Sequence, residues 1–568
     1  MKKRWIICGI GLLCMMVSVV SFFVVNAYTS GEKTLSFASA YKDRKVTLNA
    51  SLWKQDNAEY AVLICPGYSC DRQKWKPFVN LFTAAHMSVM TFDYAGQGAS
   101  SGTIGFDNAK TDAIPVEIAD AIEVLHEETG IPYEKIILAG HSMGGRSILR
   151  LLQDYNNPKA ETTVSKRPIA NVILLSPEVN FHENTQASLF AGTSDGEEEP
   201  WKSFEASYVA GTNVYLYGST ADDIVADEDV CAIYAHLGGN NGPEGGVCEV
   251  TAVNAAGSKL TLGIDNGVLH SYMMYSPKYA AYVNQAIRDI TGQTALYAPW
   301  KFRLIYVGWT AALIGIFVFL YGCNLDAGKT GAEKDIPALR NTGDFLKRKL
   351  LLWIPGILMA GVLCTICVII PFGSPVMNIP YMCFIAGYGL VMLFAYRKGT
   401  FPGVDGRLPK PVLTVETRRR EWVSGIIIAA LICGFVQFVL RSSMYRLMPL
   451  NFRLFWLLFA GALMAAGYYI SGVESDMLNE AHAPAGIRFL YSVIQYIPLF
   501  LFVLFYLVIK SYSGLIGQIL NVFLMYILCI PIGTFLRRRT GNRLYGAVFT
   551  AVLFQLLMIT SAALIAMF

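Results

Sequence analysis

The residues best suited to chemistry lie in Gly140-His141-Ser142-Met143-Gly144-Gly145, a G-x-S-x-G pattern between the apolar run 135–139 and a helix-compatible stretch. A strand that turns sharply into a helix strains the serine backbone and brings neighbouring chains close. Gly140 and Gly144, two residues before and two after Ser142, must therefore carry almost no side chain. The turn exposes Ser142 Oγ, and the helix N-terminus beneath it favours developing negative charge. With 50 glycines in the chain the pattern alone is weak; the strand, turn and helix around it give it meaning. The chemistry implied is nucleophilic attack on an acyl carbonyl.

A serine hydroxyl attacks well only when a base takes its proton, and the base needs an acid to fix its tautomer and stabilise the imidazolium. Both should follow Ser142 in the order acid, then histidine. Asp222 stands just after the apolar run 213–218 and is the candidate acid, with Asp223 as its rival. Asp227 and Asp229 are expected to face solvent on the next helix. Of the three histidines beyond the acid, His482 belongs to a strongly apolar half and His236 to a helix-like run, where a partly buried histidine is expected. His270 remains as the base. His141 reads as structural, its side chain directed away from the Ser142 hydroxyl. Acyl transfer also needs two donors for an oxyanion. The Met143 backbone N–H is one; the other is expected from Pro66-Gly67-Tyr68-Ser69, where Gly67 lets the chain bend and Tyr68 N–H donates.

Short β-rich runs at 60–65, 88–93, 135–139, 171–175, 213–218 and 259–264 alternate with helical stretches at 74–85, 111–128, 143–153 and 271–291. The polar segment 33–53 fits one or two leading antiparallel strands. This is the pattern of an α/β domain, a mostly parallel sheet with helices on both faces, whose chemistry sits at the carboxyl ends of its strands.

The whole chain of 568 residues is 54% hydrophobic and 15% charged, so much of it must face lipid. Its net charge of +4 gives no reason to expect nucleic acid as a partner. Apolar runs long enough to span a bilayer occur at 5–25, 304–321, 350–370, 379–396, 422–440, 454–470, 489–509, 515–535 and 544–568. Three units follow: an N-terminal transmembrane anchor or signal peptide at 1–27, an α/β domain at 28–299, and an all-α multi-pass domain of about eight helices at 300–568. Lys2, Lys3 and Arg4 before the first run place the middle domain outside the cytoplasm. Val25-Asn26-Ala27 resembles a cleavage site, but the apolar core is longer than a signal usually has. The basic loops 329–349, 397–420 and 537–543 fall inside on this count, whereas 471–487, also inside, carries Glu474, Asp476 and Glu480 without a basic residue before Arg488. No ionisable residue occupies the middle of a later span. Gln495, Gln518, Asn521 and Gln555 read as helix-to-helix hydrogen bonders, which disfavours ion-coupled transport. Cys231 and Cys248 could bridge in an exported domain.

Pro66-Gly67-Tyr68, Phe92-Asp93-Tyr94-Ala95-Gly96-Gln97-Gly98-Ala99-Ser100, Gly140-His141-Ser142-Met143-Gly144-Gly145, Asp222 and His270 together resemble the α/β-hydrolase superfamily, and within it the branch of serine aminopeptidases and monoglyceride-lipase-like esterases. The resemblance covers about residues 34–291. It implies hydrolysis of esters, thioesters, amides or peptides with no metal or organic cofactor. Two departures loosen the transfer of substrate class: Pro66 stands where the family usually has His, and Asp93-Tyr94-Ala95-Gly96 where Asp-x-Arg-Gly is common. The interval 176–212, with its acidic run 195–199, is where such folds insert a lid, and here a small cap or loop is expected. The expectation is a serine hydrolase held in the plasma membrane, acting on a lipid, small acyl-ester or peptide substrate. The alternatives are a peptidase of the aminopeptidase kind and a catalytically silent membrane sensor or transport component.

Overall fold

The one or two antiparallel strands expected of residues 33–53 are two, β1 (Lys33–Tyr41) and β2 (Arg44–Trp53), a hairpin paired from Lys33 opposite Leu52 to Tyr41 opposite Arg44. The structure, a computed structural model, describes residues 2–104, 108–156, 164–179, 206–239, 242–293, 297–324, 336–370, 373, 375, 378–398, 401–405, 408, 419–444, 452–494, 515–560, 562 and 564–565. After the hairpin come β3 (Ala61–Cys65), β4 (Ser88–Asp93), β5 (Ile136–His141), β6 (Asn171–Leu175), β7 (Asn213–Ser219), β8 (Cys248–Val253) and β9 (Lys259–Asp265). They form one nine-stranded sheet in the order β1-β2-β4-β3-β5-β6-β7-β9-β8. From β4 to β9 across the sheet the pairings are parallel, while β2 on β4 and β8 on β9 are antiparallel.

The central strands are short Val, Ile and Leu runs because both sheet faces are covered. Leu63, Leu138, Leu174 and Leu216 pack under α3 (Asn108–Thr129), α4 (Met143–Asn156) and α5 (Asp227–His236). Their neighbours Val62, Ile64, Ile137 and Ile173 pack under α2 (Lys76–Ala84) and α6 (Pro277–Thr291). The edge strand β8 was not legible in the sequence. Only one of its faces is covered, so it lacks the apolar run that marks the others.

Two expectations need correction here. Asp229 is buried, not solvent-facing: it lies in the first turn of α5, where unpaired backbone N–H groups favour a carboxylate. His236, at the other end of that helix, is exposed rather than partly buried. Cys231 and Cys248, whose bridging the sequence left open, are free thiols, and burial pushes the Cys231 thiol up to about 12.

Six helical stretches among the described residues are long and apolar enough to cross a membrane: 3–25, 299–324, 342–367, 379–397, 422–443 and 453–480. They correspond to α1 (Lys2–Val25), α7 (Arg303–Asn324), α8 (Thr342–Leu351) with α9 (Trp353–Ile369), α10 (Ile379–Arg397), α11 (Arg419–Ser443) and α12 (Arg453–Glu480). α13 (Leu515–Thr540) and α14 (Arg543–Ile559) also belong to this half, as does a shorter apolar helix at Ala485–Ile494. The expected span 489–509 lies mostly outside the described residues, as do the acidic run 195–199 and Gln495. The side chains of Gln518 and Asn521 are also outside them. Gln555 does bond between helices, its Nε2 donating to Met382 Sδ at 2.7 Å.

The acidic connection 471–487 is not a loop, because α12 runs on to Glu480. Its acids are answered by bases from neighbouring segments. Glu474 pairs with Lys349 and accepts from Tyr396 and Tyr491 at 3.2 and 2.7 Å, while Asp476 pairs with Arg537 and Arg543 at 2.9 and 2.8 Å. The last run also ends early: α14 stops at Ile559, and Ile565 forms a parallel bridge with Ile104 of the α/β domain.

Candidate active site

Ser142 is the single residue between the end of β5 and the start of α4, and it adopts φ +55°. That left-handed conformation is costly for a residue with a side chain and persists only where its surroundings enforce it. Here Ser142 N–H donates to the carbonyls of Leu175 and Ser176 at 3.0 and 3.1 Å, and Ser142 O accepts from Arg146 N and Glu178 N. The glycine expected two residues on is required by space. A Cβ on Gly144 would lie 2.0 Å from the Cys65 carbonyl oxygen at the end of β3.

His270 opens the turn His270–Tyr275 after β9, and Asp222 follows β7, so both sit at strand carboxyl ends as expected. His270 Nδ1 lies 2.9 Å from Asp222 Oδ2, with both side chains almost fully buried. The other Asp222 oxygen accepts from Ile224 N and Val225 N at 2.8 and 2.9 Å, which holds the carboxylate in one orientation. Donation from Nδ1 leaves Nε2 as the basic nitrogen, and Nε2 makes no hydrogen bond among the described residues. The rival Asp223 has a different place. Its Oδ1 accepts from the His270 backbone N–H at 3.1 Å, so neighbouring carboxylates grip the ring and the main chain of one histidine.

Ser142 and His270 are joined through two short links. Ser176, whose carbonyl holds Ser142 N–H, has its hydroxyl 3.4 Å from Met273 Sδ in the His270 turn. His141 Nε2 lies 3.1 Å from the His270 carbonyl, and the two imidazoles pack with centroids 4.3 Å apart. Burial pushes the His141 pKa well below the usual histidine range, with the neighbouring His270 adding to the effect. A neutral His141 with its proton on Nε2 donates to that carbonyl. The structural reading of His141 is thus refined to support of the His270 turn.

The loop after β3 passes directly beside the elbow. A Cβ on Gly67 would lie 3.2 Å from Ser142 Cβ, so only glycine lets this backbone approach the nucleophile so closely. Tyr68 is half-buried and Ser69 takes φ +54°. Met143 is the first residue of α4, so its N–H belongs to the turn that lacks intrahelical acceptors. The loop is fixed by contacts the sequence did not disclose. Cys70 N donates to Gln97 Oε1 at 3.2 Å, and Arg72 N donates to Asp93 Oδ1 at 2.7 Å. The Arg72 guanidinium pairs with the same aspartate, fully buried. The sequence did present Asp93 to Ser100 as a motif, but nothing in it identified Arg72 and Cys70 as its partners. Among the described residues no group of three or more His, Cys, Asp or Glu could hold a metal ion.

The nine-stranded order, with an elbow serine on the central β5 and an Asp–His pair after β7 and β9, defines an α/β-hydrolase fold with a mostly parallel sheet. The profile of the family "Serine aminopeptidase, S33" matches residues 56–195. No curated protein matches the chain. Similar solved structures include a hydrolase from Agrobacterium vitis S4 at 20% identity and TM-score 0.31, covering 46% of this chain and 99% of that one. A carboxylesterase from Bacillus subtilis is similar at 12% identity and TM-score 0.30, over 50% of this chain and 100% of its own. A soluble variant of monoglyceride lipase from Saccharomyces cerevisiae, in complex with a substrate analogue, is similar at 14% identity and TM-score 0.31, over 45% and 93%.

Proposed function

We propose that the chain is a membrane-anchored serine hydrolase whose catalytic domain lies outside the cytoplasm and cleaves carboxylic esters of lipids or envelope-linked acyl groups. The observation that carries this reading is the buried His270–Asp222 pair beside a serine held at positive φ. In it Ser142 Oγ attacks the ester carbonyl while His270 Nε2 takes its proton, and Asp222 stabilises the imidazolium. The Met143 and Tyr68 N–H groups receive the oxyanion. Collapse of the tetrahedral intermediate expels the alcohol, which takes the proton from His270 and leaves Ser142 acylated. Water, activated by the same histidine, then releases the acid and restores Ser142.

Sidedness is supported from two directions. Lys2, Lys3 and Arg4 open α1, and the ionic cluster of Lys349, Asp476, Arg537 and Arg543 gathers where alternating spans would put the cytoplasm. Contacts with the hydrolase domain fall at the other ends of the helices. Val25 O accepts from Tyr297 OH at 2.8 Å, and Asn80 Nδ2 donates at 3.1 Å to Asn26, which itself bonds to Ser442 O at the end of α11. Tethering concentrates the site against substrates confined to the same surface, which favours a lipid or envelope-linked ester.

The matched family profile gives the peptidase reading its support. One assay separates the two. The purified full-length chain is offered p-nitrophenyl acyl esters, a monoacylglycerol and aminoacyl p-nitroanilides, beside Ser142→Ala. Ester turnover that falls about 10³-fold or more in the variant is expected. Faster anilide than ester turnover would make it a peptidase, and no Ser142-dependent turnover of any substrate would remove the enzyme reading.

A further inference from the structure

Arg453 begins the membrane helix α12, yet its guanidinium is fully buried against the hydrolase domain. Nη1 donates to the Gly98 carbonyl at 2.9 Å and Nη2 to the Gly96 carbonyl at 2.7 Å. Nε and Nη2 also reach the Ala562 carbonyl, at 3.2 and 2.7 Å, beyond the end of α14. A buried cation is costly unless it is bonded and faces opposite charge. Here the planar fork is occupied by three carbonyls, and Asp93 and Asp71 supply the negative charge. The C-terminal segment reinforces the grip: Leu564 N donates to Gly96 O, Ile104 N donates to Leu564 O, both at 2.9 Å, and Ile565 enters the hydrolase core.

The two carbonyls held by Arg453 flank Gln97, whose side chain holds Cys70 N. On the other side of Gly98, Ala99 N donates to Asp93 Oδ2 at 2.9 Å, and the same carboxylate orders Arg72. The gripped loop and the loop that carries Tyr68 are therefore one hydrogen-bonded unit, two residues from the proposed oxyanion donor. We propose that Arg453 is a positioning residue: from the membrane half it sets, through Gln97 and Asp93, the backbone that presents Tyr68 N–H to the Ser142 site. The membrane half is then a working part of the hydrolase and not only its tether. This inference rests on the serine-hydrolase reading of Ser142.

Full-length wild-type chain, Arg453→Ala, Arg453→Lys, Gln97→Met and the Arg453→Ala/Gln97→Met double variant are compared in detergent, with turnover of a p-nitrophenyl ester expressed per Ser142 titrated by a fluorophosphonate. Counting titrated sites removes any share of unfolded protein from the comparison. Misplacing one oxyanion donor lowers kcat, so Arg453→Ala and Gln97→Met are each expected to lose about tenfold or more while KM stays within about threefold. Because both act through one connection, the double variant is expected to be no slower than the slower single variant. Lysine, which can reach some of the same carbonyls, is expected to restore part of the loss. Unchanged kcat per titrated site in Arg453→Ala would overturn the proposal, and so would losses that multiply in the double variant. A wild-type chain with no Ser142-dependent titration would instead overturn the hydrolase reading itself, and this inference with it.

Discussion

Asp222 and Asp223 are adjacent in the chain and divide the work of holding one histidine. Asp222 meets the His270 ring, and Asp223 meets its backbone. Adjacent carboxylates after one strand are indistinguishable by spacing, so the choice between them became legible only through the direction each side chain takes. Asp222→Asn is expected to lower kcat about 10³–10⁴-fold, because the amide favours the wrong tautomer. Asp223→Asn keeps an acceptor for the His270 N–H and is expected to cost about tenfold or less; steady-state kinetics of the two variants test the assignment. Gly144 offers a test of the elbow itself. The Cβ of Gly144→Ala would overlap the Cys65 carbonyl, with backbone on both sides and no flexible side chain to yield. A loss of roughly 3 kcal/mol or more in unfolding free energy, or failure to accumulate folded protein, is expected.

Among the elements, those that are apolar and continuous could be read early, and those defined by their partners could not. The runs of β4 and β6 are bounded as the sequence implied because every residue in them is buried. β8 alternates covered and uncovered residues at an edge, and α12 carries acids that look like a loop until Lys349, Arg537 and Arg543 are placed beside them. The 94–104 segment shows the same limit. Its glycines were visible, but Glu117 of α3, which accepts from Ala95 N at 3.0 Å and pairs with Arg44 at 2.9 Å, was not. Burial outweighs the Arg44 charge and raises the Glu117 carboxyl from 4.5 to about 7. The folded state therefore holds a proton that the unfolded chain releases, so the contribution of this carboxyl to stability is fully present below about 4.5 and is lost as pH rises through about 7. The loss is on the order of 3 kcal/mol at most. Unfolding measured across this window should show the slope, and Glu117→Gln should flatten it; an unchanged slope would show that another group titrates.

At the scale of the whole molecule, the two ends of the helical bundle do different things. One end is built into the hydrolase through Val25, Arg453 and Ile565, and the other is tied by the ion pairs of Glu474 and Asp476. Lys349→Met would strand the Glu474 charge between two tyrosines, where a broken buried pair costs about 3–5 kcal/mol. A lower unfolding temperature in detergent is expected, with turnover per titrated Ser142 unchanged because the site is at the opposite end. Loss of turnover per site would show that the bundle transmits strain along its length. The α/β-hydrolase fold beside apolar helices was legible from composition and the elbow motif. The joint between them was not, because a lone arginine at a helix start gives no sign in sequence of the carbonyls it will meet.

The central claim joins the chemistry of Ser142 to its side of the membrane, and one labelling experiment addresses both. Intact cells producing the full-length chain are treated with a membrane-impermeant fluorophosphonate, with Ser142→Ala and deliberately broken cells alongside. The account predicts labelling of the intact-cell protein that disappears in Ser142→Ala and does not rise when the membrane is opened. Labelling that requires broken cells would contradict the sidedness, and labelling indifferent to Ser142, or none at all, would contradict the nucleophile.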